Sequence, residues 1–190
     1  MRALRKVAVV GIIAMSSLAA ECFEITDPFV VAVNVKDIKN TYNVAPGTVN
    51  FDPGCITKNP ADYIDANFNV AGGGQLVDVI VQTNGAFAGD INNGQVRIGG
   101  SPQSMQTLAT YSGSWTAFNT PQSLIQNNVT MNLNQTGVNT LLSLIENTSP
   151  IVICHSGAFS QAAAAGMSID VTVFAQVNAT PGFEKGVRHL

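Results

Sequence analysis

The 190-residue sequence predicts an all-β fold: an antiparallel two-sheet β-sandwich, Ig-like or jelly-roll-like, with one or two short helices. Three observations predict it. The dominant hydrophobic period is two rather than 3.6, the pattern of strands with one face on a core and one in water. Strand candidates recur about every 10 to 15 residues, with turn signals between them. Helix-forming stretches are few. Alternating faces need a second layer to bury them, and two packed sheets supply it. A closed β-barrel is the alternative. Parallel α/β folds would need crossover helices that this chain lacks.

The chain begins with a leader. Arg2, Arg5 and Lys6 precede an apolar run from Val7 to Met15 and small residues up to Ala20. This is the layout of a secretory signal peptide. Its 14 residues from Val7 to Ala20 fall short of the roughly 20 that a spanning helix needs. Cleavage after Ala20 or after Ala19 fits the small-residue rule. The expected organisation is residues 1–20 as signal, 21–178 as one β-sandwich domain and 179–190 as a flexible tail.

The strands follow in order. In "FVVAVNVKDI", Phe29, Val31, Val33 and Val35 share a face. Ile64, Ala66, Phe68 and Val70 do so in "YIDANFNV". In "LVDVIVQT", Val77, Val79 and Val81 oppose Asp78, Ile80 and Gln82. Val129, Met131 and Leu133 alternate with polar residues, and "MSIDVTVFAQVN" places Met167, Ile169, Val171, Val173, Ala175 and Val177 on one face. Asn93-Gly94 predicts a tight hairpin, and Asn84-Gly85 and Gly72-Gly73-Gly74 predict further turns. "LATYSGSWTAF" reads as two short strands bent at Ser112-Gly113. "IVICH" reads as a strand closed by Cys154, with His155 at its edge.

One or two short helices are expected. "TPQSLIQNN" offers Thr120 as N-cap and Pro121 at the first helical position. "GVNTLLSLIEN" spaces Val138, Leu141, Leu142 and Ile145 along one helical face, suited to plug an open end of the sandwich or to cross between sheets. "SGAFSQAAAAGMS" is read as a loop or a single turn.

Composition bounds the partners. Only 11% of residues are charged, and Asn, Thr, Ser, Gln and Gly supply the polarity. Without the leader, six basic side chains stand against 12 acidic ones. An acidic surface repels phosphate backbones, so nucleic acid is excluded as a partner. No basic run docks on anionic lipid. A membrane would be reached only through lipid on Cys22, in the near-lipobox "SLAAEC". Glu21 and the misplaced Leu18 argue against that lipid and for ordinary cleavage before Glu21.

Catalytic parts are scarce. Neighbours on a strand point to opposite faces, so Cys154 and His155 form no thiolate–imidazole pair. His189 lies in the tail. No G-x-S-x-G elbow, C-x-x-C spacing or calcium loop is present, and "AGGGQ" lacks the lysine and helix of a phosphate loop. Asp52, Asp62 and Asp65 gather around the Cys55 loop and read as turn residues, with acid–base or Ca²⁺ roles as the sharper alternative. No catalytic residue, metal or cofactor is assigned. Asn128, Asn134, Asn147 and Asn178 begin N-x-[ST] sequons, which composition alone produces here.

Tyr111, Trp115 and Phe118 cluster on one stretch. They either close the core or stack on a sugar; they are the candidate binding residues. Cys22, Cys55 and Cys154 allow one disulfide and leave one thiol. Cys55–Cys154 and Cys22–Cys55 both remain open.

The expected function is a non-catalytic exported module of the cell envelope, periplasmic, cell-surface or extracellular, that binds a protein or glycan or serves a structural accessory role. The alternatives are a subunit of an assembled surface structure or membrane complex, paired through strand edges, and an envelope hydrolase built on carboxylates.

Overall fold

A computed structural model describes residues 30–52, 55–125 and 130–181. The leader, Cys22, Phe29, Val129, His189 and the tail beyond Pro181 lie outside the described residues.

The chain forms two antiparallel sheets packed as a sandwich, as the periodicity predicts, and one of them curls into a half-barrel. In the first sheet, β1 (Val31–Asn34) and β2 (Ile38–Val44) lie end to end along one side of β11 (Met167–Pro181). β5 (Phe68–Asn84) runs along the other side of β11, and β8 (Gln122–Ser123) adds to β5. In the second sheet, β3 (Asn50–Phe51) and β4 (Cys55–Lys58) share one side of β10 (Ile151–Phe159). β6 (Asp90–Gly99), β7 (Met105–Ser114) and β9 (Thr130–Leu133) follow in that order.

β11 shows why the strands form. Met167, Ile169, Val171, Val173, Ala175 and Val177 are buried, and the residues between them are half-buried or exposed. The period of two thus puts one face of the strand in the core. Burying a Val or Ile side chain is worth about 1.5–3 kcal/mol, so slipping the register by one residue would forfeit most of the core contribution of this strand. The strand continues through Ala179 to Pro181, so the first three residues expected in the tail pair with β5.

Helix α1 (Pro60–Tyr63) is one turn, with Pro60 at its start and the Asn59 amide donating to Asp62 Oδ2 at 2.8 Å. Helix α2 (Gln135–Glu146) matches the predicted amphipathic stretch. Asn134 caps it, its Oδ1 accepting from the Thr136 amide at 2.9 Å and the Gly137 amide at 3.3 Å. Val138, Leu141 and Ile145 are buried, and Leu142 packs against the core. The helix touches β5 and β11 of one sheet and β6, β7 and β10 of the other, so it plugs the space between them. It links β9 to β10 of the same sheet, passing over β7 and β6, and does not cross between sheets. Gly137 permits the approach: a Cβ there would lie 2.1 Å from the Thr107 carbonyl oxygen.

Several local expectations are corrected. Asn93-Gly94 is no hairpin. Asn93 has φ +51° inside β6, at an irregularity of the β6–β7 ladder. Gly72-Gly73-Gly74 is no turn but a bulge within β5. Val77 does not share a face with Val79 and Val81, because a second irregularity between Leu76 and Asp78 leaves it 43% exposed. "LATYSGSWTAF" is a single strand running into a 3-10 turn, Trp115–Phe118. Gln122 and Ser123, expected in a helical turn, pair with Val81 and Ile80. In each case tertiary pairing outweighs a weak local preference.

Candidate functional site

Tyr111, Trp115 and Phe118 come together as predicted, but inside the core. Trp115 and Phe118 are 0% exposed and Tyr111 is 1% exposed. Trp115 packs edge-to-face on Phe87 and Phe159, and its Nε1–H donates to the Gly85 carbonyl at 2.9 Å. Phe118 packs on Tyr111. Their faces are taken by neighbouring rings, so stacking on a sugar is corrected to closing the core. The physical reason is the 3-10 turn, which folds Trp115 and Phe118 back under β5. Thr83 holds that turn by donating its hydroxyl to the Trp115 carbonyl at 2.9 Å.

His155 is not at a strand edge. It lies within β10, between β3/β4 and β6, and is fully buried. Its ring stacks on Tyr111 at 5.6 Å and meets Phe51 and Tyr42 at 5.1 and 5.0 Å. Nε2 is hydrogen-bonded to the Tyr111 hydroxyl, while Nδ1 has no hydrogen-bond partner. A charged imidazolium would place an unpaired N–H in this apolar setting. Burial accordingly pushes the His155 pKa down to about 3. Burial likewise raises Tyr111 well above the usual phenol value and Tyr42 to about 12. Tyr42 Oη–H reaches across the sandwich and donates to the Ile153 carbonyl at 3.3 Å. The cluster is a neutral polar link between sheets, without contact to solvent.

Cys55 and Cys154 form a disulfide across β4 and β10, where the two residues are directly paired. This resolves the open pairing in favour of the bond that spans 99 positions of sequence. Disulfides typically contribute about 2–4 kcal/mol, and the chain-entropy picture puts a loop of about 100 residues at the upper end, roughly 4.7 kcal/mol. Cys154 and His155 point to opposite faces of β10, as the strand period requires.

The acidic residues near Cys55 have structural partners. Asp52 Oδ1 accepts from Arg97 at 3.3 Å, Asp62 caps α1, and Asp65 Oδ1 accepts from the Asn67 amide at 3.0 Å. Elsewhere, Asp170 is held below the usual carboxylate range. Burial raises its pKa, but the Thr41 hydroxyl at 2.6 Å and Lys39 at 3.0 Å more than offset that. Among the described residues, no three His, Cys, Asp or Glu side chains gather where they could hold a metal ion. Nor is any helix among them long and apolar enough to cross a membrane.

A groove that the sequence reading missed opens on the outer face of the first sheet. It measures about 280 Å³ and is lined by Ala32, Gly73, Gly74, Gln75, Gln176, Val177 and Asn178. The register explains it. Val177 pairs with Gly74 and Ala179 with Val70, so β5 carries two extra residues there, and Gly72 and Gly73 adopt φ of +86° and +73°. A row of amides borders the hollow. Gln75 Nε2–H donates to Gln176 Oε1 at 2.7 Å, and Gln176 Nε2–H donates to Asn34 Oδ1 at 2.8 Å. The signal was present, since glycines inside a strand-period run mark a bulge rather than a turn.

Comparison with protein families, with curated proteins and with solved structures finds no significant match to this chain.

Proposed function

We propose that the chain is a non-catalytic β-sandwich exported to the cell envelope, where it acts as a binding or structural accessory module. The observation that carries this reading is the Cys55–Cys154 disulfide. Such bonds form and persist in oxidising compartments, and the leader-like N-terminus supplies the route there. The chemistry of the side chains supports the non-catalytic part. The buried His155 is held neutral among aromatic rings, away from solvent. Asp52, Asp62 and Asp170 are occupied by Arg97, the α1 cap and Lys39. The polar hollow on the first sheet gives a binding role a place to reside.

Fractionation of the source cells with intact-mass analysis tests this. The expected species begins at Glu21, carries one disulfide, and is found in the envelope or outside the cell. A diacylglyceryl mass on Cys22 would keep the envelope address and replace cleavage before Glu21 with a lipid anchor. A full-length, fully reduced protein confined to the cytosol would overturn the reading.

A further inference from the structure

We propose that the groove on the outer face of the first sheet binds an uncharged, hydroxyl-rich ligand: a neutral saccharide. This rests on the binding role proposed above and gives it a site and a ligand class.

The hollow exists because side chains are missing where a sheet face normally carries them. Gly73 cannot be replaced without cost. It sits at φ +73°, and a Cβ there would meet Asn178 Nδ2 at 2.9 Å. At Gly74 a Cβ would point behind the groove, meeting the Gln176 carbonyl oxygen at 2.8 Å and Leu142 at 3.3 Å, so this glycine lets β5 lie close on the core beneath the hollow. Glycines in a strand lose conformational entropy on folding and return no packing. Here they keep open a polar hollow about 280 Å³ in volume.

The walls decide the ligand class. Asn34, Gln176 and Gln75 lie side by side on β1, β11 and β5 and are already bonded to one another. Those two bonds fix the amides in place but use only part of their capacity, leaving donors and acceptors in the same row. The exposed Asn178 side chain lies beside Gly73 and adds a further amide to the hollow. A hydroxyl group both donates and accepts, so a sugar ring matches such a row. Preorganised amides also spare the entropy of ordering side chains on binding.

Other ligand classes fit worse. Among the described residues none that lines the groove is charged, so a phosphate or carboxylate would lose its hydration without a countercharge. An extended peptide gains affinity by adding a strand to a sheet edge. This groove lies on a sheet face over β11, which is already paired on both sides with β1 and β5. Among the described residues no aromatic ring lines it, so hydrogen bonds carry the affinity, which is expected in the millimolar range.

The full-length protein, titrated with maltotriose, cellotriose and chitotriose and followed by amide NMR shifts, tests the proposal. At least one of these should bind saturably and shift Gly73 and Asn178. Gln176→Ala should weaken that binding by about tenfold, the loss of a good hydrogen bond. Ala32→Phe, which fills the groove, should abolish it while the unfolding midpoint stays near that of the parent. Should Ala32→Phe fail to fold, Gln176→Ala and the shift map still decide. Three outcomes would overturn the proposal: no saturable binding of any trisaccharide, affinity unchanged in both variants, or tighter binding of trigalacturonate or an Ala-Gly peptide. The titration uses purified protein, so its failure leaves the export reading, tested by fractionation, untouched.

Discussion

β5 and β11 lie side by side for most of their length, yet the two ends of this pair are built differently. From Ser168 to Phe174, β11 pairs residue for residue with β5, and Val79, Val81, Ile169, Val171 and Val173 are fully buried. From Ala175 to Pro181 the register slips twice, and glycines and amides replace the apolar alternation of β5. The closed end covers the His155 cluster, since Tyr42 pairs with Ile169 and meets the His155 ring. The open end carries the groove. One pair of strands therefore does two jobs, and regularity is what separates them. Unbroken alternation yields burial, and interrupted alternation yields a place for a ligand.

The largest expected effect belongs to the closed end and comes from acid. The His155 pKa is about 3 in the folded chain, against 6.5 when exposed. The folded state thus binds fewer protons at that ring than the unfolded one. Its stabilisation is complete above pH 6.5 and is lost as pH falls toward 3, a change on the order of 5 kcal/mol. Denaturant titrations between pH 7 and pH 4 should show His155→Phe losing far less stability than the parent. Equal losses would remove His155 as the source.

Truncation is next. Ile169→Ala, at a fully buried position of the closed end, should cost about 3 kcal/mol in the same titration. A cost below about 1 kcal/mol, as for a surface position, would mean that this end is not close-packed.

The open end depends on α2, because Leu142 lies against Gly74 behind the groove. Asn134→Ala removes the helix cap and should cost about 1 kcal/mol. Hydrogen exchange should report the loss at α2 and residues 70–76 before Ile169. Protection lost equally at both ends would show that they unfold as one unit. The smallest effect is expected of Gln176→Ala at the groove, within about 0.5 kcal/mol of the parent. A larger loss would make the amide row a structural element rather than a surface one.

Much of this fold was legible in residue patterns. The alternation in "MSIDVTVFAQVN" is the burial pattern of β11, and the spacing of Val138, Leu141 and Ile145 is the buried stripe of α2. The site was less legible. Tyr111, Trp115 and Phe118 were close in sequence and proved close in space, but sequence could not say whether they faced in or out. A 3-10 turn decided that, and such turns leave little trace in hydrophobic periodicity.

The alternation is written in the residues themselves, and with it the need for two sheets, because a strand with one apolar face cannot stand alone in water. The amphipathic helix and the cysteine count are likewise local properties of the chain. Tertiary structure decided which thiols meet, where His155 ends up, and that three glycines form a bulge instead of a turn. These outcomes depend on register between strands far apart in the chain. Register is set by what each strand finds opposite it, so no local window of sequence contains it.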